Sequence, residues 1–274
     1  MAVFLLTSLS PVPELPEVET VVRSLSPYIT GHAILHAEVL SRRVTRASHR
    51  ATAQALTGAK IENVQRRGKQ IFVHLNRGVL YMHLGMTGKL LWNGERTKYA
   101  RAIFELDNGT LIFDDVRQFG RVEFYPEVPD FLAKTGPDAL SVSSLEFMTR
   151  LKRHTGHIKT LLLNQSFIAG VGNIYADESL FAARIHPRAR ANRLSQTRAK
   201  ELHCQILAIL ESAIQHRGSS ISNYVDAEGS RGNYQSQHNV YGRTGEPCLR
   251  CGAPVRRIVL AQRGTHYCPH CQRS

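Results

Sequence analysis

Four cysteines in the last 27 residues constrain this chain more than any other feature. Cys248-x2-Cys251-x16-Cys268-x2-Cys271 is the spacing of a four-thiolate zinc site. Each C-x-x-C forms a tight knuckle that presents two sulfurs to one tetrahedral ion. The alternative, a pair of redox dithiols, lacks any βαβ context. Cys204 stands alone, and an odd count with paired spacing points to metal binding in a reducing cytoplasm rather than to a disulfide framework. A closed four-cysteine site is structural, so one Zn2+ is expected and no metal chemistry. His266 and His270 are surplus to the set and are expected on the surface. The residues between the pairs alternate enough to form a β-hairpin, and they carry Arg256, Arg257 and Arg263. A small hairpin bearing arginines suits a nucleic-acid groove.

Ahead of that unit the pattern divides in two. Leu15, Val18, Val22, Leu25 and Ile29 recur at spacings of three and four, which predicts a helix over 16–29. Pro13 and Pro16 suit its start, where a missing N–H costs little. From Ala33 to Tyr125 short β-like runs follow, with Asn76-Arg77-Gly78 and Asp107-Asn108-Gly109 as turns. These predict a β-sandwich or barrel with the first helix packed on it. After Ser141 the chain turns helical. Ser195 can cap a long helix whose buried stripe is Leu202, Ile206, Ile209, Leu210, Ala213 and Ile214, and Gly218 ends it. The expectation is an α+β multidomain chain: a β-sandwich domain with flanking helices over 13–126, a linker over 127–140, a helical domain over 141–235 and a C-terminal β-hairpin zinc finger over 241–274.

The 274 residues carry a formal net charge of +13, which favours a polyanionic partner held partly by counterion release. No transmembrane span, internal repeat or low-complexity tract is visible. Residues 1–11 contain a short apolar run without a preceding Lys or Arg, which fits no secretory signal and is too short to span a membrane.

Pro13-Glu14-Leu15-Pro16-Glu17-Val18-Glu19-Thr20 closely resembles the mature amino terminus of formamidopyrimidine-DNA glycosylases, bacterial enzymes that excise oxidised purines. In that family the proline is the first residue, and its free amine is the nucleophile. An internal proline has an amide nitrogen and cannot attack. Val12 precedes Pro13, and a GTG codon reads as valine internally but as methionine when it initiates. The expectation is therefore that 1–12 is an extension from a misassigned start. A targeting segment and a blocked, inactive paralogue are the alternatives.

The resemblance runs collinearly from Pro13 to the C-terminus and implies further roles. Pro13 would attack C1′ of a nucleotide and form an iminium ion, and Glu14 would protonate the sugar ring oxygen. Glu17 fits a helix amino-end carboxylate. Lys69, in Gln65-Arg66-Arg67-Gly68-Lys69, matches a lysine assigned to proton transfer and phosphate contact in β-elimination. Arg263, in Gln262-Arg263-Gly264-Thr265, matches the hairpin arginine assigned to δ-elimination, and it suits a phosphate clamp better than a proton donor. Met86, in His83-Leu84-Gly85-Met86-Thr87-Gly88, and Phe119, in Asp115-Val116-Arg117-Gln118-Phe119-Gly120, would fill the void left by a flipped base, with Arg117 on the orphaned cytosine.

The run from Ala169 to Glu178 resembles the turn of the family's helix-two-turn-helix domain, where Asn173 and Lys159 would contact phosphate. The loop 226–234 corresponds to a lid over the flipped base. The chain departs from the family at Lys98-Tyr99-Ala100-Arg101, where Tyr99 takes a DNA-contacting histidine position, and at Thr155, near a usual basic contact.

The implied activity is a purine-lesion glycosylase with AP lyase strand cleavage, acting on damaged double-stranded DNA as a monomer in the bacterial cytoplasm. The sibling endonuclease VIII type, which removes oxidised pyrimidines, opens Pro-Glu-Gly-Pro, and Leu15 argues against it. A zinc protein that binds damaged duplex without catalysis is the rival from another class.

Overall fold

The computed structural model describes residues 12–129, 134–221 and 224–273. The extension expected over 1–12 lies outside them except for Val12.

The first helix, α1 (Leu15–Ile29), begins one residue earlier than its apolar spacing predicts. Pro16 sits in its first turn, where no N–H is required. The Glu17 carboxylate reaches back to accept the Glu14 N–H at 2.8 Å, closing the helix start. Then come β1 (Ile34–Val39), α2 (His49–Leu56), β2 (Ile61–Arg67), β3 (Gln70–Leu75), β4 (Gly78–His83), β5 (Gly88–Trp92), β6 (Ala100–Leu106), β7 (Gly109–Asp115) and β8 (Arg121–Tyr125). They form two four-stranded sheets, in the orders β1-β6-β7-β5 and β2-β3-β4-β8. Every pairing is antiparallel.

Alternation sorts the strands into faces. Ile71, Val73 and Leu75 of β3 share one core with Leu80, Met82, Phe104 and Phe113, and Val18, Val21, Leu25 and Ile29 of α1 complete it. Phe72 points the other way and packs with Val79 and Tyr81 in a small outer cluster. The predicted sandwich with its helix is therefore the architecture present.

The helical part comprises α3 (Ser144–Lys152), α4 (Ile158–Leu162), α5 (Asn173–Ala182) and α6 (Gln196–Gln215). Ser195 caps α6 by accepting from the Arg198 N–H. Leu202, Ile206, Leu210 and Ala213 are buried, and Gly218 follows at φ +77°. Leu15 belongs to this second core rather than to the sandwich, so α1 is shared between the two. α5 is buried on all sides. Glu178 lies inside with the backbone N–H groups of Asn239, Val240 and Tyr241 on its carboxylate.

The chain ends in the hairpin β9 (Arg256–Leu260) and β10 (Arg263–Tyr267). Its two-residue turn, Ala261 and Gln262, lies in the left-handed region at φ +48° and +60°. No described helix is long and apolar enough to cross a membrane.

Candidate active site

Pro13 is buried at the entrance to α1, with Glu14 next to it. Leu15 donates its N–H to the Gly170 carbonyl at 3.1 Å, so the start of α1 is fastened to the turn before α5. The Glu14 carboxylate crosses that seam. It accepts the Ile174 N–H at 2.9 Å and the Tyr175 N–H at 3.4 Å, and so sits at the amino end of α5.

The glycines of this turn are required by contact. A Cβ on Gly172 would lie 2.2 Å from Glu14 Cδ, and one on Gly170 would lie 2.4 Å from Leu15 Cδ1. Gly170 also adopts φ +107°, which favours glycine.

Burial raises the Glu14 pKa to about 7. The Lys69 charge and the two backbone donors pull it down, and Glu17 pushes it up. Burial lowers Lys69, against the attraction of Glu14 and Glu17 and with the repulsion of Arg263. Thus Glu14, Lys69 and Arg263, far apart in sequence, lie within one electrostatic neighbourhood.

Lys69 is held there by its turn. Gly68, at φ +60°, donates its N–H to Asp138 at 2.7 Å and packs on Ala169. Arg66 ties the same turn to α1 through Glu19 at 2.6 Å and to Asp138 at 2.5 Å. His83 lies beside this turn; burial, with the charges of Lys69 and Arg121, lowers its pKa to about 4, so it is neutral at pH 7.

Glu17 faces inward. Its carboxylate accepts the Tyr175 hydroxyl at 2.5 Å and the Ser219 N–H at 2.7 Å, besides the Glu14 N–H. Sequence reasoning placed Glu17 at the helix start, which holds, but did not find Tyr175 or Ser219. No local signal pairs residues that distant.

The loops 84–88 and 115–120 are locked together. The buried Asp115 carboxylate accepts from Thr87 Oγ1 at 2.5 Å and from the Gly120 N–H at 2.8 Å. Gly85 lets the two backbones touch: its Cβ would lie 2.6 Å from Gly120 N. Phe119 is 53% exposed, with the Arg117 guanidinium 4.7 Å from its ring centre. Met86 is half-buried on the neighbouring loop. Tyr99, also half-buried, accepts the Asp115 N–H on its carbonyl, with Lys98 5.3 Å from its ring. The tip is thus apolar and cationic, and Phe119 stands outside the sandwich core.

The loop 224–232 packs on α1. Tyr28 donates to Glu228 at 2.8 Å, Arg217 pairs with Asp226 at 3.2 Å, and Ala227 is buried in the sandwich core.

At the C-terminus the sulfurs of Cys248, Cys251, Cys268 and Cys271 lie within 4.8 Å of one another. Tetrahedral Zn–S bonds of about 2.3 Å put sulfurs roughly 3.8 Å apart. The pairs Cys248–Cys271 at 4.0 Å and Cys251–Cys268 at 3.5 Å bracket that value, so the donor set fits one structural zinc. His270 is exposed, as expected. His266 is not: it is buried, and both its N–H, at 2.8 Å, and its Nδ1, at 3.2 Å, face Asp177.

Arg263 is exposed at the start of β10, and Asn173 donates to the Gly264 carbonyl at 3.0 Å. Lys159 is fully buried, with its ammonium 2.7 Å from Asp177, which is not the placement of an open phosphate contact.

Three family models match the chain in order. They are the formamidopyrimidine-DNA glycosylase N-terminal domain over residues 12–122, the helix-two-turn-helix domain of the same enzymes over 135–225, and the zinc finger they share with an isoleucyl-tRNA synthetase over 245–273. A formamidopyrimidine-DNA glycosylase of Solibacter usitatus is 51% identical over 263 residues, covering 95% of this chain and 99% of its own. The chain belongs to the formamidopyrimidine-DNA glycosylase family.

Solved structures agree. The MutM (Fpg) protein of Thermus thermophilus superposes with a TM-score of 0.87 at 40% identity, covering 95% of this chain and 98% of that one. Lactococcus lactis Fpg, bound to DNA containing N7-benzyl-Fapy-dG, superposes at 0.88 with 39% identity, covering 96% and 100%. Membership makes the chain a glycosylase of the base-excision-repair class, with one zinc-finger module.

Proposed function

We propose that this glycosylase removes oxidised purines, 8-oxoguanine and formamidopyrimidines, from duplex DNA through an amine at Pro13, and then cuts the strand. The observation that carries the reading is the Glu14 carboxyl: buried next to Pro13, raised to about 7, and held beside Lys69. A carboxyl with that pKa can donate a proton at neutral pH, a role worth about 10²–10⁴ in rate. The Lactococcus lactis relative, bound to DNA with a ring-opened guanine, supports the purine preference.

The reaction balances as follows. The Pro13 nitrogen bonds to C1′ and loses its proton, while the C1′–base bond breaks and the base leaves protonated. Glu14 gives a proton to O4′; the C1′–O4′ bond breaks and an iminium cation forms. That cation acidifies C2′. Loss of a C2′ proton expels the 3′ phosphate, and loss of a C4′ proton then expels the 5′ phosphate. Lys69 serves the first elimination by moving a proton, and Arg263 clamps the departing phosphates. Water finally releases the sugar remnant and restores the amine. Zinc supplies no step; its four thiolates hold the hairpin that carries Arg263.

This chemistry needs Pro13 as the first residue of the mature chain. Met86 and Phe119 fill the vacated stack, Arg117 meets the orphaned cytosine, and Tyr99 and Asn173 serve the phosphate side, while the buried Lys159 does not reach it. The enzyme acts as a monomer in the bacterial cytoplasm.

The test is borohydride trapping of natively expressed protein on a duplex carrying 8-oxoguanine opposite cytosine, with the cross-linked peptide mapped by mass. An adduct on an amino-terminal Pro13 is expected. Bound duplex with Met1 intact and no adduct would overturn the assignment and leave a damage-binding protein. Faster trapping on an oxidised pyrimidine would assign the chain to the endonuclease VIII type.

A further inference from the structure

One buried group in the helical part is not used by the chemistry above. Asp177 lies one turn into α5 and is completely buried, as is Lys159. One carboxylate oxygen pairs with Lys159 Nζ at 2.7 Å. The other accepts the His266 backbone N–H at 2.8 Å, with His266 Nδ1 at 3.2 Å. Lys159 Nζ also donates to the Gly264 carbonyl at 3.1 Å, and Asn173 donates to that same oxygen at 3.0 Å. β10 is therefore fastened to α4 and α5 at Gly264 and at His266, immediately after Arg263. The amino end of α5 is what the Glu14 carboxylate rests on. One helix thus carries the fixing point of the acid at Ile174 and the fixing point of the arginine hairpin three residues later at Asp177.

We propose that Asp177 is a positioning residue: by holding β10 against α5 it sets the place of Arg263 relative to Glu14, and so couples the second strand cut to the base-removal site. The inference rests on the glycosylase–lyase reading given above. It also gives Lys159 a task that suits its burial. Its Nζ pairs with the Asp177 carboxylate at 2.7 Å and braces the Gly264 carbonyl directly at 3.1 Å.

The test uses the full mature chain and the Asp177→Asn variant, which keeps the shape and an acceptor for His266 but loses the charge. At saturating duplex, base release should stay within about twofold of wild type, while release of the 5′ phosphate falls roughly tenfold, because a misplaced clamp costs rate without touching the nucleophile. One zinc per chain should be retained, measured by metal release. Arg263→Gln should lose release of the 5′ phosphate at least as strongly, and adding Asp177→Asn to it should bring no further loss of that step, since both act through one clamp.

If the single variant folds poorly, Asp177→Asn with Lys159→Met leaves no unpaired buried charge and is read by the same ratio of products. An unchanged ratio, additive losses with Arg263→Gln, or a parallel fall of every step with lost zinc would each overturn the proposal. A wild-type chain that forms no adduct and cuts no strand would instead overturn the activity assignment itself.

Discussion

Gly172→Ala is the sharpest probe of the site, because the three atoms nearest the new methyl group all belong to the Glu14 side chain. Gly172 has φ −127° and ψ −157°, extended backbone open to any residue, so alanine brings no conformational strain. Its Cβ would lie 2.2 Å from Glu14 Cδ and 2.5 Å from Glu14 Oε1. Contacts that short do not persist, so the carboxyl must leave the amino end of α5. It then loses the Ile174 N–H, a hydrogen bond to a charged or partly charged group worth about 1.5–3 kcal/mol.

For a chain of this size that corresponds to a fall in Tm of roughly 3–12 °C. The displaced acid can no longer reach the sugar oxygen, so base release should fall by about 10²–10⁴. Glu14→Ala alone should match that rate loss. The double variant Glu14→Ala/Gly172→Ala should be more stable than Gly172→Ala, because the methyl group then has room. Zinc content and affinity for undamaged duplex should stay at wild-type level throughout. The assay is single-turnover release of 8-oxoguanine alongside a thermal melt. Wild-type turnover in Gly172→Ala, or no recovery in the double variant, would refute the placement of the acid.

In a chain opening at residue 13, Pro13→Gly should cripple turnover while duplex binding by gel shift is largely kept; an unchanged rate would remove Pro13 as the nucleophile. Because Glu14 titrates near 7, base release should decline as pH rises above about 7, a limb that Glu14→Gln should lack. The folded state keeps a proton on Glu14 that the unfolded chain releases above pH 4.5, so stability should fall between pH 4.5 and about 7, by up to about 3 kcal/mol, and Glu14→Gln should flatten that slope in denaturant melts. Phe119→Ala removes an exposed ring, so Tm should hardly move while excision from duplex falls roughly tenfold or more, a loss of about 1.4 kcal/mol in the extruded state. Cys251→Ala should lose zinc and duplex affinity together; full affinity without metal would mean that the hairpin does not touch DNA.

Much of this was legible in the sequence because it is local. The period of Leu15 to Ile29, the alternation of Ile71 to Leu75 and the cysteine spacing each report on their own neighbourhood. The zinc set needs only that two knuckles meet. What the sequence hid depends on contacts between distant segments. The fastening of β2 and β3 to the helical part through Arg66 and Asp138 joins positions 72 residues apart. The segment over 127–140 reads as a linker from its prolines, glycine and acids, which says nothing of Asp138 as an anchor for the Lys69 turn. Burial of His266 was equally invisible, since a histidine in a short hairpin looks like surface until Asp177 is placed against it. Asp177 and Glu178 lie in a recognised motif, yet nothing local shows that one fastens the hairpin and the other gathers the backbone N–H groups of 239–241.

Glu14 and Glu17 show why the site requires the whole fold. Both carboxyls are buried, and burial raises the pKa of each. What separates them is where their partners come from. Glu17 is bound by three donors: the Glu14 N–H just before α1, the Tyr175 hydroxyl and the Ser219 N–H. A carboxylate so engaged is a strut joining the start of α1, α5 and the segment after α6. Glu14 has two backbone donors, one of them long at 3.4 Å, and otherwise faces Lys69 electrostatically. It can take and give a proton without unfastening a domain. Two acids one helical turn apart thus divide into a structural and a chemical role through the elements that reach them, and neither role exists until the sandwich and the helical part have closed on α1.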